Sequence, residues 1–340
     1  MDPLEVLSPL DGRYQEKTQE LAGYFSEMAL FRQRLLIEIE YLLALSSWKI
    51  IRKITEKEKR WLRVLAKNFN LKEALEIKKI EKITRHDVKA IEYFLKEKIS
   101  KNSLKDLKEM VHFGLTSEDV NNLAYGLSLK KSLNKIILPC LFSLSEELKK
   151  MADRYRGVVM LAKTHGQPAL PTTLGKEIAI FVKRLKEEME ILQKNKIKGK
   201  FNGAVGNFNA FHFIFPKIDW LKFSRDFILQ FDLEPELLTT QVLPYDSYTR
   251  IFDSLKRINS LLIGLCQDFW FYTSLDYFQQ KVVEIEIGSS AMPQKVNPIH
   301  FENAEGNLGL ANSLLKFFSE KLLISRLQRD LSDSCVRRNF

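Results

Sequence analysis

Apolar side chains recur three and four residues apart along much of this chain, which is the spacing of one face of an α-helix. Two such stripes near the N-terminus consist of Phe31, Leu35, Ile39, Leu42 and Leu43 and of Ile91, Phe94 and Leu95. Helix-breaking residues are rare in this part, since there is no proline between positions 9 and 139 and no glycine between positions 23 and 114. The pattern predicts a helical N-terminal domain over residues 1–111.

From residue 112 to residue 340 the helical patterns are longer, and loops rich in glycine, proline and asparagine separate them. We expect one helix from about residue 116 with a bend at Pro139, others over about 174–198 and 246–276, and a last one from Pro298. Strand signals are weak and centre on GKFNGAVGNFNAF (199–211). Long helices joined by such loops favour an elongated bundle, so the predicted fold class is mainly α.

The composition is that of a soluble globular protein, with 45% apolar and 28% charged residues among 340. No apolar run approaches the length that spans a bilayer, and the first residues, MDPLEVLSPL, are acidic where a signal peptide would be basic. Cys140, Cys266 and Cys335 are far apart and odd in number, which argues against a disulfide framework or a zinc site. We therefore expect a cytoplasmic protein that uses no metal and no cofactor.

The formal net charge is +10, from 53 basic and 43 acidic residues. An excess of basic residues can indicate a nucleic acid, an anionic membrane or a multiply charged small substrate. The lysines are dispersed among glutamates, and the densest cluster, KNKIKGK (194–200), lacks the interleaved aromatic residues of a single-strand binder. This distribution favours a solvated helical surface, so we expect no nucleic-acid or membrane partner.

Two polar segments have the spacing of helix capping boxes. In ITRHDVKAIEYF (83–94) Thr84 would cap a helix whose third residue is Asp87, and in HFGLTSEDVNNLA (112–124) Thr116 and Asp119 repeat the pattern. The free N–H groups of a helix N-terminus attract phosphate and carboxylate groups. Each segment is therefore either a plain cap, which is the commoner case, or an anion-binding site.

A third polar segment, AKTHGQPALPTTLGKE (162–177), contains His165. We expect a loop that two prolines stiffen, ahead of a helix capped by Thr172 or Thr173. A histidine in a rigid polar loop can act as a general acid or base, because its pKa lies near neutrality. It can equally serve only to hydrogen-bond the loop, and the segment alone does not decide between the two.

The fourth polar segment is GSSAMPQKVNP (288–298), where Asn297 would cap a helix that begins at Pro298. Ser289, Ser290 and Lys295 precede that helix start on a loop rich in glycine and proline. The chain has no Ser-His-Asp order and no GxSxG elbow, which argues against a hydrolase triad. A serine near a lysine could instead accept a proton, or the loop could be a linker without chemistry.

These segments resemble one family when they are taken together. GSSAMPQKVNP resembles the GSSxMPxKxNP loop of the fumarase/aspartase superfamily, whose members release fumarate from a substituted succinate. The segments SPLDGRY (8–14), HDVKAIEYFLKEK (86–98), HFGLTSEDVNNLA, THGQPALPTTLGKE (164–177) and SRLQRDLSDS (325–334) resemble the adenylosuccinate lyase family in its longer bacterial form. The resemblance extends over essentially the whole chain.

The resemblance implies a β-elimination that yields fumarate with AMP from adenylosuccinate, or with AICAR from the succinylated aminoimidazole carboxamide ribotide (SAICAR). It implies Ser289 as the base, His165 as the acid, and Lys295 and Asn297 as ligands of the succinyl carboxylates. The implied substrate-binding residues are Arg13, Tyr14, Arg85, His86, Asp87, Thr116, Ser117, Gln241, Ser290, Lys295, Asn297, Asn303, Arg329, Ser334 and Arg338. Among these, Arg13, Tyr14, Ser334 and Arg338 would meet the phosphate.

The resemblance also implies a homotetramer in which each active site draws residues from three subunits. Family members continue beyond RDLSDS with a last bundle helix and a further helical domain, so we expect this bundle to lack its C-terminal part. Two alternatives remain at this point. One is another fumarate-releasing enzyme such as argininosuccinate lyase, whose loop Gln294 resembles more closely. The other is a non-catalytic helical remnant.

Overall fold

The computed structural model describes residues 4–280, 292 and 296–340. Its helices and strands are α1 (Gln15–Phe25), α2 (Glu27–Ser47), α3 (Glu56–Lys67), α4 (Leu71–Thr84), α5 (Asp87–Ser100), α6 (Ser117–Ser132), α7 (Leu138–Arg154), β1 (Val159–Thr164), β2 (Gln167–Thr173), α8 (Leu174–Lys194), β3 (Lys198–Gly199), α9 (Asn209–Ile214), α10 (Trp220–Leu229), β4 (Glu234–Pro235), α11 (Asp246–Ser274), α12 (Ile299–Lys321) and α13 (Ser332–Arg337). A 3₁₀ helix spans Lys105–Met110 and a π-helical turn spans Leu133–Ile137. The chain is mainly α, as the sequence predicts.

The chain folds into two compact units. Unit 1 contains Met1–Ile137, Lys196–Tyr245 and Ser325–Phe340, and unit 2 contains Leu138–Asn195 and Asp246–Ile324. Unit 1 therefore holds α1 to α6, α9, α10 and α13, while unit 2 holds α7, α8, α11, α12 and the β1–β2 hairpin. The division of the chain into domains of residues 1–111 and 112–340 stays a prediction.

The core of unit 1 is built around α2 and confirms the two apolar stripes. All residues of both stripes are buried, and they belong to one cluster that α3, α4 and α5 complete. Side-chain caps fix where these helices begin. Ser26 caps α2, Thr55 and Glu58 form a capping box at α3, and Asn70 and Glu73 form one at α4.

An aromatic cluster in unit 1 supports the loop that precedes α6. The ring of Tyr41, on α2, lies 5.2 Å from that of Phe201, and its hydroxyl donates to the backbone carbonyl of Phe113 at 2.7 Å. Gly114 has a φ of +70°, and a Cβ at this position would lie 2.8 Å from the ring of Phe211. The close approach requires glycine, so the aromatic side chains fix the path of the chain into α6.

The core of unit 2 joins α7, α8 and α11 through buried residues such as Leu148, Ile178 and Phe269. The end of α7 and the start of α8 approach each other closely, because a Cβ on Gly175 would lie only 2.3 Å from the carbonyl oxygen of Ala152. No helix in the described part of the chain combines the length and the apolar character needed to cross a bilayer.

The predicted long helices are present, with differences at their ends. The π-helical turn interrupts the helix just before Pro139, close to the predicted bend. Helices α8 and α11 begin at the predicted residues. Helix α12 begins at Ile299 and not at Pro298, because Pro298 has a non-helical ψ of 46° and occupies the cap position predicted for Asn297.

The strand predictions are wrong in two places. Only Lys198–Gly199 pairs near the predicted segment 199–211, with Glu234–Pro235 as its parallel partner, and α9 takes up the later residues. Strands β1 and β2 form an antiparallel hairpin where the sequence indicates a loop. The prolines of β2 explain the error, because proline is tolerated at the edge of a sheet, and β1 and β2 form a two-stranded sheet among the described residues.

Candidate active site

The start of α5 differs from the capping box that the sequence predicts. Thr84 is the last residue of α4, and Arg85 ends that helix in the left-handed conformation with a φ of +51°. His86 is the N-cap of α5, and its Nδ1 accepts a hydrogen bond from the backbone N–H of Lys89 at 3.2 Å. The predicted Thr84 cap is therefore wrong, because Thr84 still belongs to the preceding helix and Asp87 becomes the first helical residue.

Asp87 is held by a buried arginine that the sequence interpretation missed. Its Oδ2 lies 2.7 Å from Nη2 of Arg34, and its Oδ1 accepts the backbone N–H of Val88 at 2.9 Å. Burial raises the pKa of Asp87, but the charge of Arg34 and these hydrogen bonds outweigh burial and lower the pKa below its usual value. The Nε of Arg34 donates to Oδ1 of Asn121 at 2.8 Å, so Arg34 joins α2, α5 and α6. One signal was available, since Arg34 follows Phe31 by three positions on the apolar face of α2.

The start of α6 confirms the other predicted box. Thr116 takes the N-cap position, and its backbone N–H donates to Oδ2 of Asp119 at 3.0 Å. Ser117 is the first helical residue, and its Oγ lies 3.5 Å from Nε2 of His86. The starts of α5 and α6 therefore meet at His86 and Ser117, where the positive ends of two helices favour an anion.

Three further predicted residues form a hydrogen-bonded chain in unit 1. The Nη1 of Arg329 donates to Oε1 of Gln241, and its Nη2 donates to Oγ of Ser334, both at 3.2 Å. Gln241 in turn donates its Nε2 to the carbonyl of Ala204 at 2.9 Å. The Nε of Arg329 is buried and has no hydrogen-bond partner among the described residues, so one donor of this guanidinium remains unused by them.

A buried ion pair, also missed by the sequence interpretation, joins α13 to the start of α6. Arg337 donates to both oxygens of the Glu118 carboxylate, at 2.7 and 2.9 Å, and to Oδ2 of Asp333 at 3.1 Å. The hydroxyl of Tyr245 donates to Glu118 at 2.6 Å. Burial lowers the pKa of Arg337, but the charge of Glu118 outweighs it and raises the pKa above its usual value. The pair therefore holds α13, which carries Ser334, against Glu118, which directly follows Ser117.

Arg338 completes this part of unit 1. Its side chain is 63% exposed, and its Nη2 lies 4.0 Å from Oδ2 of Asp87. A cavity of about 360 Å³ adjoins the two residues, and its wall also includes Arg34, Tyr125 and Arg337. Arginine and aromatic side chains thus face one space next to the starts of α5 and α6, together with the carboxylates of Asp87, Glu27 and Glu81.

The structure places the remaining predicted residues of unit 1 at helix ends. Arg13 is exposed in the turn before α1, and Tyr14 is partly buried at the N-cap position of that helix. Arg85 is exposed at the turn between α4 and α5. In unit 2, Asn297 is partly buried before α12, and Asn303 is exposed on that helix. Ser289, Ser290 and Lys295, like Gln294, lie outside the described residues.

His165 lies at the tip of the β1–β2 hairpin in unit 2. Thr164 pairs with Gln167, so His165 and Gly166 form a two-residue turn, with φ values of +52° and +75°. Two positive φ values are characteristic of a type I′ turn, which matches the twist of the strands. The turn presents the imidazole to solvent, and α8 follows with Thr173 as its predicted N-cap.

The described residues contain the groups that an anion site needs and no group of His, Cys, Asp and Glu suited to a metal ion. Unit 1 brings together His86, Asp87, Ser117 and Arg338 on one side and Gln241, Arg329 and Ser334 on the other. Arg337 links the two sets. It pairs with Glu118, which follows Ser117, and its Nη2 lies 3.4 Å from Oγ of Ser334. Guanidinium groups and helix N-termini bind carboxylate and phosphate groups well.

Comparisons with known proteins give the family of this chain and the fold that it shares with solved structures. A family model described as Lyase matches residues 12–311. The chain is 48% identical to the adenylosuccinate lyase of Buchnera aphidicola subsp. Acyrthosiphon pisum (strain APS), over 99% of this chain and 75% of that protein. It is 43% identical to the adenylosuccinate lyase of Escherichia coli (strain K12), over 100% of this chain and 75% of that protein. A fumarate lyase from Mesorhizobium sp. BNC1 has a similar fold, with a TM-score of 0.75 and 16% identity over 95% of this chain and 70% of that one.

Proposed function

Because this chain belongs to the adenylosuccinate lyase family, we propose that it releases fumarate from adenylosuccinate to give AMP and from SAICAR to give AICAR. The chain is a C–N lyase with the mainly α fold of fumarate lyases. Both substrates carry a phosphate and two carboxylates, which agrees with the net charge of +10.

The observation that carries this proposal is the convergence of anion-binding groups in unit 1. Ser117 at the start of α6 suits a carboxylate, because the helix N-terminus adds free N–H groups to its hydroxyl. Arg329, with its unpaired Nε, and the exposed Arg338 suit the phosphate end, because planar guanidinium groups grip phosphate oxygens in pairs. His86 and Asp87 would hold the nucleotide between the two.

The proton transfers fall to residues outside that cluster. Ser289 would take the proton from the carbon β to the breaking C–N bond, and His165 would protonate the departing nitrogen. Lys295 and Asn297 would stabilise the negative charge that gathers on the adjacent carboxylate. The hairpin tip supports the role of His165, because the two-residue turn leaves its ring exposed to an incoming substrate.

A homotetramer in the cytoplasm belongs to the same proposal. Leu310, Leu314 and Phe317 are exposed on one face of α12, and an exposed apolar face of this kind supports a contact with another subunit. All three cysteines are free, as a reducing compartment requires.

Fumarate release from three substrates tests the reaction. We expect turnover of adenylosuccinate and SAICAR and none of argininosuccinate, and the reverse preference would contradict the proposal. Ser289→Ala and His165→Gln should each abolish turnover while leaving adenylosuccinate binding measurable by calorimetry. Mixing the two inactive variants should restore part of the activity if subunits share their sites, and no restoration would speak for sites within one chain.

A further inference from the structure

Lys200 is fully buried in unit 1, and all the bonds of its ammonium group go to protein atoms. Its Nζ lies 3.0 Å from Oδ1 of Asp119 and donates to the backbone carbonyls of Gly203 at 3.0 Å and Gln241 at 2.8 Å. An ammonium group has three N–H bonds, so these three partners satisfy it completely. Lys200 thus ties the start of α6 to two other segments of the chain.

Asp119 is equally buried, and it collects hydrogen bonds from the same segments. Besides the N–H of Thr116, it accepts the backbone N–H groups of Asn202 at 3.1 Å and Gly203 at 3.2 Å. A buried ion pair is stable only where such additional bonds satisfy the remaining donors and acceptors. The pair therefore has one favourable geometry, since displacing any partner would leave a desolvated charge.

The backbone around the pair is packed tightly enough to transmit its position. Gly206 has a φ of +79°, and a Cβ at this position would lie 2.0 Å from the carbonyl oxygen of Thr239. The Nδ2 of Asn202 donates to Oγ1 of Thr239 at 2.8 Å. The segments 200–206 and 239–241 consequently contact each other through backbone atoms, with little room to shift.

We propose that Lys200 is a positioning residue that sets the separation between Ser117 and Gln241. It acts on Ser117 through Asp119 at the start of α6, and on Gln241 directly through the backbone carbonyl. Gln241 then fixes Arg329, because its Oε1 accepts a hydrogen bond from Nη1 of Arg329. The inference rests on the proposed function, in which these three residues contact the substrate. Its consequence is that the carboxylate end and the nucleotide end of the site are held at one distance before substrate binds.

Lys96 offers a matched control for a merely structural role. It is 13% exposed and pairs at 3.0 Å with the buried Glu92, which Lys89 also contacts, and its partners include none of the residues assigned to the substrate. Lys200→Met and Lys96→Met each remove an ammonium group from a buried carboxylate and keep an unbranched side chain. A loss of folded protein lowers the apparent kcat in either variant and leaves KM unchanged.

The decisive measurement is KM for adenylosuccinate in the full chain, together with amide hydrogen exchange. We expect Lys200→Met to raise KM and to lower kcat/KM about tenfold or more, since a misplacement near 1 Å can cost on the order of 100-fold. Exchange should accelerate over residues 116–119 and 239–241 together, and Lys96→Met should change neither KM nor these amides. An unchanged KM, or exchange that accelerates equally in both variants, would overturn the proposal.

Lys200→Arg decides the matter if Lys200→Met does not fold. It keeps a cation beside Asp119, but its planar N–H groups cannot reproduce all three bonds, so KM should still rise. A wild-type KM and wild-type exchange in a folded Lys200→Arg would equally overturn the proposal. If the wild-type chain releases no fumarate from adenylosuccinate or SAICAR, the proposed function fails, while the exchange data still show whether Lys200 couples the two segments.

Discussion

The starts of α5 and α6 have the same capping-box sequence pattern, but only one of them forms the capping box. Thr84 and Asp87 have the spacing of Thr116 and Asp119, and the capping rule applies equally to both pairs. Only the second pair forms the box. At α5 the helix begins two residues later than the rule predicts, with His86 as its cap.

The chain that precedes each helix explains the difference. Before α5 there is no loop, since α4 runs to Thr84 and only Arg85 and His86 separate the two helices. Before α6 the loop of residues 111–115 turns the chain, so that Thr116 is extended and free to cap. As a result Asp119 lies at the third helical position, fully buried against Lys200, whereas Asp87 lies at the first position, about a quarter exposed and next to Arg338. The same spacing therefore yields a fully buried carboxylate in one helix and a partly exposed one in the other.

Removing the buried carboxylate should have the largest effect on stability. Asp119→Ala leaves the ammonium of Lys200 without its counter-charge and three backbone N–H groups without an acceptor. Breaking a buried pair in this way costs about 3–5 kcal/mol. Urea unfolding followed by circular dichroism measures the change, and a loss below about 1 kcal/mol would show that the site is hydrated.

Removing the partly buried counterpart, Asp87, should cost less and should depend on pH. Asp87→Asn loses a charge-assisted bond to Arg34, worth about 1.5–3 kcal/mol. The pKa of Asp87 is lowered in the folded state, so its contribution is fully present above the unfolded pKa of about 3.9 and is lost as the pH falls through the folded value.

Unfolding free energies of wild type and Asp87→Asn, measured between about pH 2 and pH 7, check this. The difference between the two proteins should be constant near neutrality and should shrink below about pH 4. A difference that grows on acidification would mean that the sign of the pKa shift is wrong.

His86 separates capping from substrate binding at the start of α5. His86→Ala removes the acceptor for the N–H of Lys89 and should cost about 1 kcal/mol, as for other lost caps. His86→Asn should retain stability, because asparagine is a good N-cap, yet it should raise KM for adenylosuccinate as much as His86→Ala does. If His86→Asn restores both stability and KM, His86 serves α5 alone.

The sequence predicts the helices well because their periodicity is local. The stripes from Phe31 to Leu43 and from Ile91 to Leu95 can be recognised without knowing which residues they pack against. The buried ion pairs depend on distant partners, since Arg34 and Asn121 are 87 positions apart and Glu118 and Arg337 are 219 apart. No local pattern contains that information.

The motifs locate the candidate site residues but not the groups that hold them. Ser117, Gln241, Arg329 and Ser334 follow from the resemblance, and the structure bonds Arg329 directly to Gln241 and Ser334. It connects Ser334 to the start of α6 through Arg337, to which the resemblance gives no role. The hairpin below His165 was missed for another reason. Its turn uses histidine and glycine where asparagine and glycine are the usual signal, so the local chemistry resembles a loop.

The smallest expected effect is the sharpest test of the comparison between the two helix starts. Thr84→Ala should change stability by no more than about 0.5 kcal/mol, because Thr84 lies in the last turn of α4, where alanine is a better helix former. Thr116→Ala, the matched change at α6, alters the residue at the N-cap position of the box and should cost about 1 kcal/mol. Equal losses in the two variants, measured by urea unfolding under one condition, would mean that Thr84 caps α5 after all and that the capping rule needs no correction for the preceding helix.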